Sequence, residues 1–217
     1  YEDVIMGNTN GAGEDCRNVA CFASLRAGMP TTVAGLTVNR LCGSGLAATL
    51  DAARGVKAGE GELFLAGGVE SMSRAPIVMS KAHTAFDRGQ QIADSTLGAR
   101  FTNPAYAAEF GNDTMPQTAD NIASDLDISR EDSDVFAAAS QAKYEAARAD
   151  GFFQDEIVAI DVPPGRKKPD RSVDTDDHPR PSSILDALAG LRSLSAYAVS
   201  SAASARVFNA RALALIG

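Results

Sequence analysis

Apolar runs punctuated by glycine set the pattern of the first third of the chain. "DVIMG" (3–7) is apolar and ends at glycine, which predicts a buried strand, and "NTNGAG" (8–13) carries turn chemistry. From Asp15 to Ala27, Val19, Phe22, Ala23 and Arg26 recur at helical spacing, and Gly28 and Pro30 stop the element. "GLTVNRL" (35–41) is short and β-branched, a strand. "GSGLAATLDAARGVKAG" (43–59) places Leu46, Leu50 and Ala53 on one helical face and ends at Gly59. "ELFLAGGVES" (62–71) is an apolar strand entering a Gly-Gly turn. Strand, helix, strand, helix, strand predicts an α/β fold of parallel β/α units around a buried sheet.

Residues 74 to about 114 break that pattern. No period is sustained there, and the stretch is too long for an ordinary connection, so it reads as a functional loop region or small subdomain. "MPQTADNIASDL" (115–126) begins a helix. Ser129 caps another, with Asp132 three residues on and Val135, Ala139, Ala142 and Ala146 lining it until Gly151. "DEIVAIDV" (155–162) reads as a strand, followed by a polar, proline-bearing stretch. No internal repeat is present.

The bulk numbers narrow the function classes. With 217 residues, 45% of them hydrophobic, the chain can form one large domain or a domain with an excursion. A formal net charge of −8 and the lack of a basic stripe argue against nucleic acid. The one basic cluster, "GRKK" (165–168), reads as a solvated loop. Three cysteines, Cys16, Cys21 and Cys42, do not suit a secreted disulfide framework. No signal peptide is visible, and no apolar run approaches the ~18 residues of a membrane span. A cytoplasmic location and no membrane partner are the expectations. The opening "YEDVIMG" is a strand already under way without an initiator methionine, so the segment is expected to begin inside a larger protein.

Cys42 is the position with chemistry to offer. In "VNRLCGSGLAA" (38–48) it stands between a strand and a helix rich in small residues. Unpaired N–H groups and the positive dipole end at a helix N-terminus favour an anion, and a thiolate is one. Gly43, Ser44 and Gly45 add little bulk, so a substrate can approach the sulfur, as at a nucleophile elbow. By placement alone Cys42 also reads as a small core hydrophobe. Other groups carry less. Cys16 and Cys21 lie five apart on the same helix, no His or Cys stands at metal-ligand spacing, and Asp176 and Asp177 read as a solvated loop. "GAGEDC" and "LAGGVES" hold glycines without a phosphate-cradle pattern.

"TVNRLCGSGLAA" followed by "ELFLAGGVESMSRAP" resembles the thiolase family, the acyl-CoA:acetyl-CoA C-acyltransferases. "GEDCRNVA" upstream and "TADNIASDLDISREDSDVFAAASQAKYEAA" downstream agree in order, and "STLGARFTNP" looks most like degradative members, including the 3-oxoadipyl-CoA thiolases. The likeness covers about residues 2 to 192. It favours thiolase over a 3-oxoacyl synthase relative of the same architecture.

The resemblance implies a thiolase-like fold and a ping-pong reaction. The chain would cleave a 3-oxoacyl-CoA with coenzyme A, or condense two acyl-CoA molecules in reverse, through an S-acyl Cys42 whose own N–H helps bind the oxyanion. Met115 matches the family methionine beside the pantetheine arm and acyl group, with Thr114 where the family often has histidine. Arg180 matches an arginine that lies against the adenine of coenzyme A; read from its residues alone it is an exposed loop arginine. No metal and no permanently bound cofactor are implied, coenzyme A being a co-substrate. The partners implied are acyl-CoA, coenzyme A and further copies of the chain in a dimer or tetramer.

The chain also departs from the family. The Gly-His-Pro, Cys-Gly-Gly and Asn-Glu-Ala-Phe segments, which supply the base, the proton carrier and the oxyanion water, do not occur; His83 and His178 stand in loop-like stretches outside such a context. The C-terminal half is therefore expected to be absent and the isolated chain inactive, exposing core surface. A non-catalytic acyl-CoA-binding or subunit-interaction domain is the alternative. The expected organisation is an N-terminal core (1–73), a loop excursion with helices covering the substrate site (74–154), a return strand with a coenzyme A-side loop (155–192), and a diverged tail (193–217).

Overall fold

A computed structural model describes residues 1–163 and 171–192. The GRKK cluster and the 193–217 tail lie outside the described residues. The chain forms two compact units, the first Tyr1–Thr114 and the second beginning at Met115.

In the first unit, β1 (Asp3–Gly7), α1 (Val19–Arg26), β2 (Ala34–Val38), α2 (Ser44–Ala58) and β3 (Phe64–Gly68) follow one another as the apolar runs predict. The sheet is parallel with order β2-β1-β3. Ile5 of the central strand pairs with Leu36 on one side and Ala66 on the other. Moving outward from β1 to β2 and then back across to β3 reverses the winding. Right-handed crossovers then put α1 and α2 on opposite faces. The two successive β1 residues Val4 (1% exposed) and Ile5 (3%) point to opposite faces, and both are buried. Ala20 of α1 and Ala48 of α2 complete the core with no exposure at all.

Close helix seating depends on glycine. A Cβ on Gly7 would stand 2.6 Å from the Ser44 carbonyl carbon, so the end of β1 abuts the first turn of α2. On the far end of α2, a Cβ on Gly55 would stand 2.8 Å from the ring of Phe64. Gly59, at φ 74°, closes α2 as expected.

One helix starts later than its periodicity predicts. α1 begins at Val19 because Asn18, not Asp15, caps it: Asn18 Oδ1 accepts the Cys21 N–H (3.1 Å). Asn18 Nδ2 also donates to the Gly35 carbonyl (2.6 Å), fixing the cap to β2. Cys16 therefore sits in the preceding turn and does not share a helix with Cys21, contrary to the sequence expectation. The aperiodic stretch after residue 74 contains an antiparallel hairpin, β4 (Ile77–Met79) with β5 (Ile92–Asp94), and then α3 (Pro104–Phe110) capped by Asn103.

The second unit holds α4 (Met115–Asp125), α5 (Arg130–Ala149), β6 (Ile160–Val162), β7 (Arg171–Val173) and α6 (Leu185–Ala189). Ser129 caps α5 as predicted: its Oγ accepts the Asp132 N–H (3.0 Å). The strand predicted over 155–162 is confined to its last three residues. It pairs with β7, which lies in the stretch read as irregular.

Candidate active site

Parallel strands that end together leave their connecting loops at one edge, where open α/β sheets receive ligands. The loops after β1, β2 and β3 meet there, and Cys42 rides on the second of them. Gly43 is the N-terminal cap of α2 and Cys42 precedes it, so the sulfur is carried at the mouth of the helix. The thiol is free and exposed. No acidic residue occupies the first turn of α2, so nothing on the helix competes for its positive end.

The backbone ahead of the thiol is bent sharply. Leu41 has φ 49°, in the left-handed region that a leucine enters only under constraint. Neighbouring polar groups supply that constraint. The Leu41 N–H donates to Asn39 Oδ1 (3.0 Å), while the Leu41 carbonyl accepts from Ser44 Oγ (2.6 Å) and from the Ser44 N–H (3.0 Å). Ser44 Oγ in turn accepts the Arg40 N–H (2.9 Å). Ser44 is buried, at 4% exposure, so one hydroxyl locks both residues in front of Cys42.

A second layer joins this loop to its neighbours. Asn39 Nδ2 donates to the Thr9 carbonyl (3.2 Å). The Glu70 carboxylate accepts the Thr9 N–H (2.7 Å), the Thr9 hydroxyl (2.5 Å) and the Asn10 N–H (3.0 Å). Asn8 Nδ2 donates to the Val69 carbonyl (2.8 Å). At the rim, the Arg74 fork meets Glu14 at 2.5 and 2.6 Å, and this hydrogen-bonded cation holds the Glu14 carboxyl below the usual carboxylate range. All three loops are thus tied into one rigid edge. Asn8, Asn39, Ser44 and Glu70 make the bonds that tie this edge together, and the motif reading passed over them. For the Asn and Ser positions the only sequence signal is their habit, beside a turn, of bonding nearby backbone; Glu70 has none, since its partners lie 60 and 61 residues away.

Met115 and Arg180 belong to the second unit. Met115 opens α4 and is 72% exposed. Arg180 is exposed, and its guanidinium folds back on its own loop, donating from Nη1 to the carbonyls of Asp177 and Pro179 (the latter 2.9 Å). Gln141 Oε1 on α5 accepts the Arg180 N–H (2.7 Å). Beside it lies an open cleft of about 760 Å³, lined by Ala138, Ala142 and Ala146 of α5 and by Pro181, Ile184 and Leu185. Asp176 is more than a solvated carboxylate: it accepts the Tyr144 hydroxyl (3.1 Å). Desolvation, then that bond, pushes the Tyr144 phenol up. His83 lies in the β4–β5 connection, its backbone N–H bonded to Asp87 Oδ2 (3.1 Å), and His178 lies in the exposed 174–180 loop. Among the described residues no three His, Cys, Asp or Glu side chains group as a metal site.

Comparison with known proteins identifies the family. The family model described as "Thiolase, N-terminal domain" matches residues 1–205. The Beta-ketoadipyl-CoA thiolase of Acinetobacter baylyi is 53% identical over 191 residues, covering 88% of this chain and 47% of that protein. The 3-oxoadipyl-CoA/3-oxo-5,6-dehydrosuberyl-CoA thiolase of Escherichia coli is 50% identical over 216 residues, 99% of this chain and 54% of that protein. The crystal structure of human mitochondrial 3-ketoacyl-CoA thiolase in complex with CoA matches with a TM-score of 0.73 at 34% identity, over 88% of this chain and 46% of that one. The chain therefore spans about half the length of the curated relatives it matches.

Proposed function

This chain belongs to the thiolase family, and from that premise we propose that it is the nucleophile-bearing part of an acyl-CoA C-acyltransferase. The observation that carries the reading is Cys42, exposed at the mouth of α2 behind a constrained Leu41. In the thiolytic direction the Cys42 thiolate adds to the C3 ketone of a 3-oxoacyl-CoA. The C2–C3 bond breaks, the acyl group stays on sulfur, and C2 takes a proton as acetyl-CoA leaves. The thiol of a second coenzyme A then attacks the S-acyl group and frees Cys42. The Cys42 N–H and the dipole of α2 are suited to the oxyanion formed at each addition. The base and the proton donor belong, in this reading, to a second half that the curated relatives have and this chain does not match.

Met115 and Arg180 are proposed contacts for coenzyme A, Met115 along the pantetheine arm and Arg180 against the adenine. The names of the two bacterial relatives support a chain that ends in a second carboxylate. A cytoplasmic setting fits three unpaired thiols. No helix among the described residues is long and apolar enough to cross a membrane. Self-association fits the hairpin, which leaves Ile77, Met79 and Ile92 between 66% and 72% exposed. A second reading is a binding or subunit domain without turnover; the chain matches about half the length of its relatives.

Reconstitution tests the first reading. The chain is mixed with the separately produced C-terminal half of the E. coli relative, and loss of a 3-oxoacyl-CoA is followed in the presence of coenzyme A. Turnover by the mixture, absent from each part and from a mixture carrying Cys42→Ala, is the expected result. Turnover that survives Cys42→Ala contradicts it.

A further inference from the structure

We infer that Arg100 is a specificity-determining residue that reads the distal carboxylate of the acyl chain. Every other described lysine and arginine is exposed; Arg100 is half-buried. Burying a guanidinium is costly unless an anion or enough acceptors compensate. Arg100 has only neutral acceptors: Nη2 donates to Asn10 Oδ1 (3.1 Å) and Nη1 to the Ser95 carbonyl (3.4 Å). No ion pair among the described residues involves it. A guanidinium has five N–H donors, so most of its fork is left for a ligand.

Its position is constrained as well. Asn10 and Ser95 are both buried, at 7% and 5% exposure, and Asn10 Nδ2 donates to the Ser95 carbonyl (2.9 Å). The Asn10 N–H is one of the three donors on Glu70, and Thr9 before it holds Asn39 beside the nucleophile loop. Arg100 and Cys42 therefore belong to the same compact unit and to one hydrogen-bonded framework. Gly98 (φ 59°) and Phe101 (φ 51°) fold the backbone tightly on either side of Arg100.

The chemistry fits a dicarboxylic acyl chain. In a 3-oxoadipyl group the free carboxylate lies three carbons beyond the ketone that Cys42 attacks. A planar fork is the group that pairs such a carboxylate in two bonds, and Arg100 is joined to the nucleophile loop through Asn10, Glu70, Thr9 and Asn39. The inference rests on the thiolase reading and adds to it the residue that distinguishes a dicarboxylic acyl chain from a plain one.

Isothermal titration of the chain carrying Cys42→Ala, which keeps the thioester intact, measures affinity for succinyl-CoA and for butyryl-CoA, the same chain length with methyl in place of carboxylate. The parent is expected to prefer succinyl-CoA by about tenfold or more, the effect of a charge-assisted hydrogen-bonded pair. Arg100→Gln is expected to bring that ratio close to one, and Arg100→Lys, which keeps the charge, to retain part of it. Equal affinity for both ligands in the parent overturns the inference, as does a preference that Arg100→Gln leaves standing. Binding of neither ligand overturns the coenzyme A reading itself and the inference with it.

Discussion

Gly7 and Gly45 flank the same contact and respond oppositely to the same substitution. Gly7 ends β1 against α2, and the Cβ of alanine there would lie 2.6 Å from the Ser44 carbonyl carbon, 2.8 Å from the Gly45 nitrogen and 2.9 Å from the Ser44 Cβ. All three belong to the first turn of α2, two of them to its backbone, so no flexible side chain can swing aside. The helix start must move away from the strand. Overpacking of this kind costs about 1–3 kcal/mol, or roughly 2–4 °C of Tm for each kcal/mol in a chain of this size. At Gly45, in the same helical turn, an added Cβ meets nothing within 4 Å. There the gain in helix propensity applies alone, about 0.5–1 kcal/mol in favour of alanine. Thermal and urea unfolding of Gly7→Ala, Gly45→Ala and the parent measure both effects. Alkylation of Cys42 reports whether the thiol moved with the helix. Gly7→Ala is expected to be less stable and altered in Cys42 labelling, and Gly45→Ala more stable. A Gly7→Ala chain as stable as the parent, labelled at the same rate, would refute the seating of α2 on the strand end.

Further outcomes follow from the loops. Ser44→Ala removes the buried hydroxyl that bonds Leu41 and Arg40; a loss of about 1–3 kcal/mol in urea unfolding is expected, and no loss would mean that the hydroxyl does not hold the bend. Glu70→Gln replaces an acceptor by a donor opposite Thr9 and Asn10. The site is exposed, so under about 1 kcal/mol of stability should go, while Cys42 alkylation should change several-fold; an unchanged rate separates Glu70 from the nucleophile loop. In the β4–β5 hairpin, the Gly89 N–H and then the His83 N–H hold the Asp87 carboxyl low, and the Thr96 N–H and hydroxyl hold Asp94 low. Depressed carboxyls stabilise fully above their unfolded values and lose that contribution as the pH falls through the folded ones. Cleavage within residues 77–94 by an acid-active protease should therefore rise as the pH drops below about 4; cleavage that does not rise would contradict these bonds.

Much of the first unit was legible because its signals are local. β1, β2 and β3 are apolar runs closed by glycine or a turn, and Gly59 stops α2 where the spacing runs out. The place of Cys42 between strand and helix could be read for the same reason. The start of α1 could not, because Asp15 and Asn18 are both good caps. The choice falls to Asn18, which also accepts the Thr37 hydroxyl (2.8 Å) across to β2. Strands of three residues, such as β4 and β7, are too short to show a period and exist through their partners. The clamp on the nucleophile loop was least legible. Glu70 reaches Thr9 across 61 residues, and no spacing rule connects them.

Competitive alkylation tests the central claim, an accessible and chemically active Cys42, most directly. The chain is treated with iodoacetamide, with and without prior exposure to acetyl-CoA, and labelling at Cys16, Cys21 and Cys42 is read by peptide mass spectrometry. Cys16 is the internal control, since it too is exposed. Cys42 is expected to label fastest, and acetyl-CoA to protect it alone by acylating it. Labelling of Cys42 no faster than Cys16, with no protection by acetyl-CoA, would contradict the account.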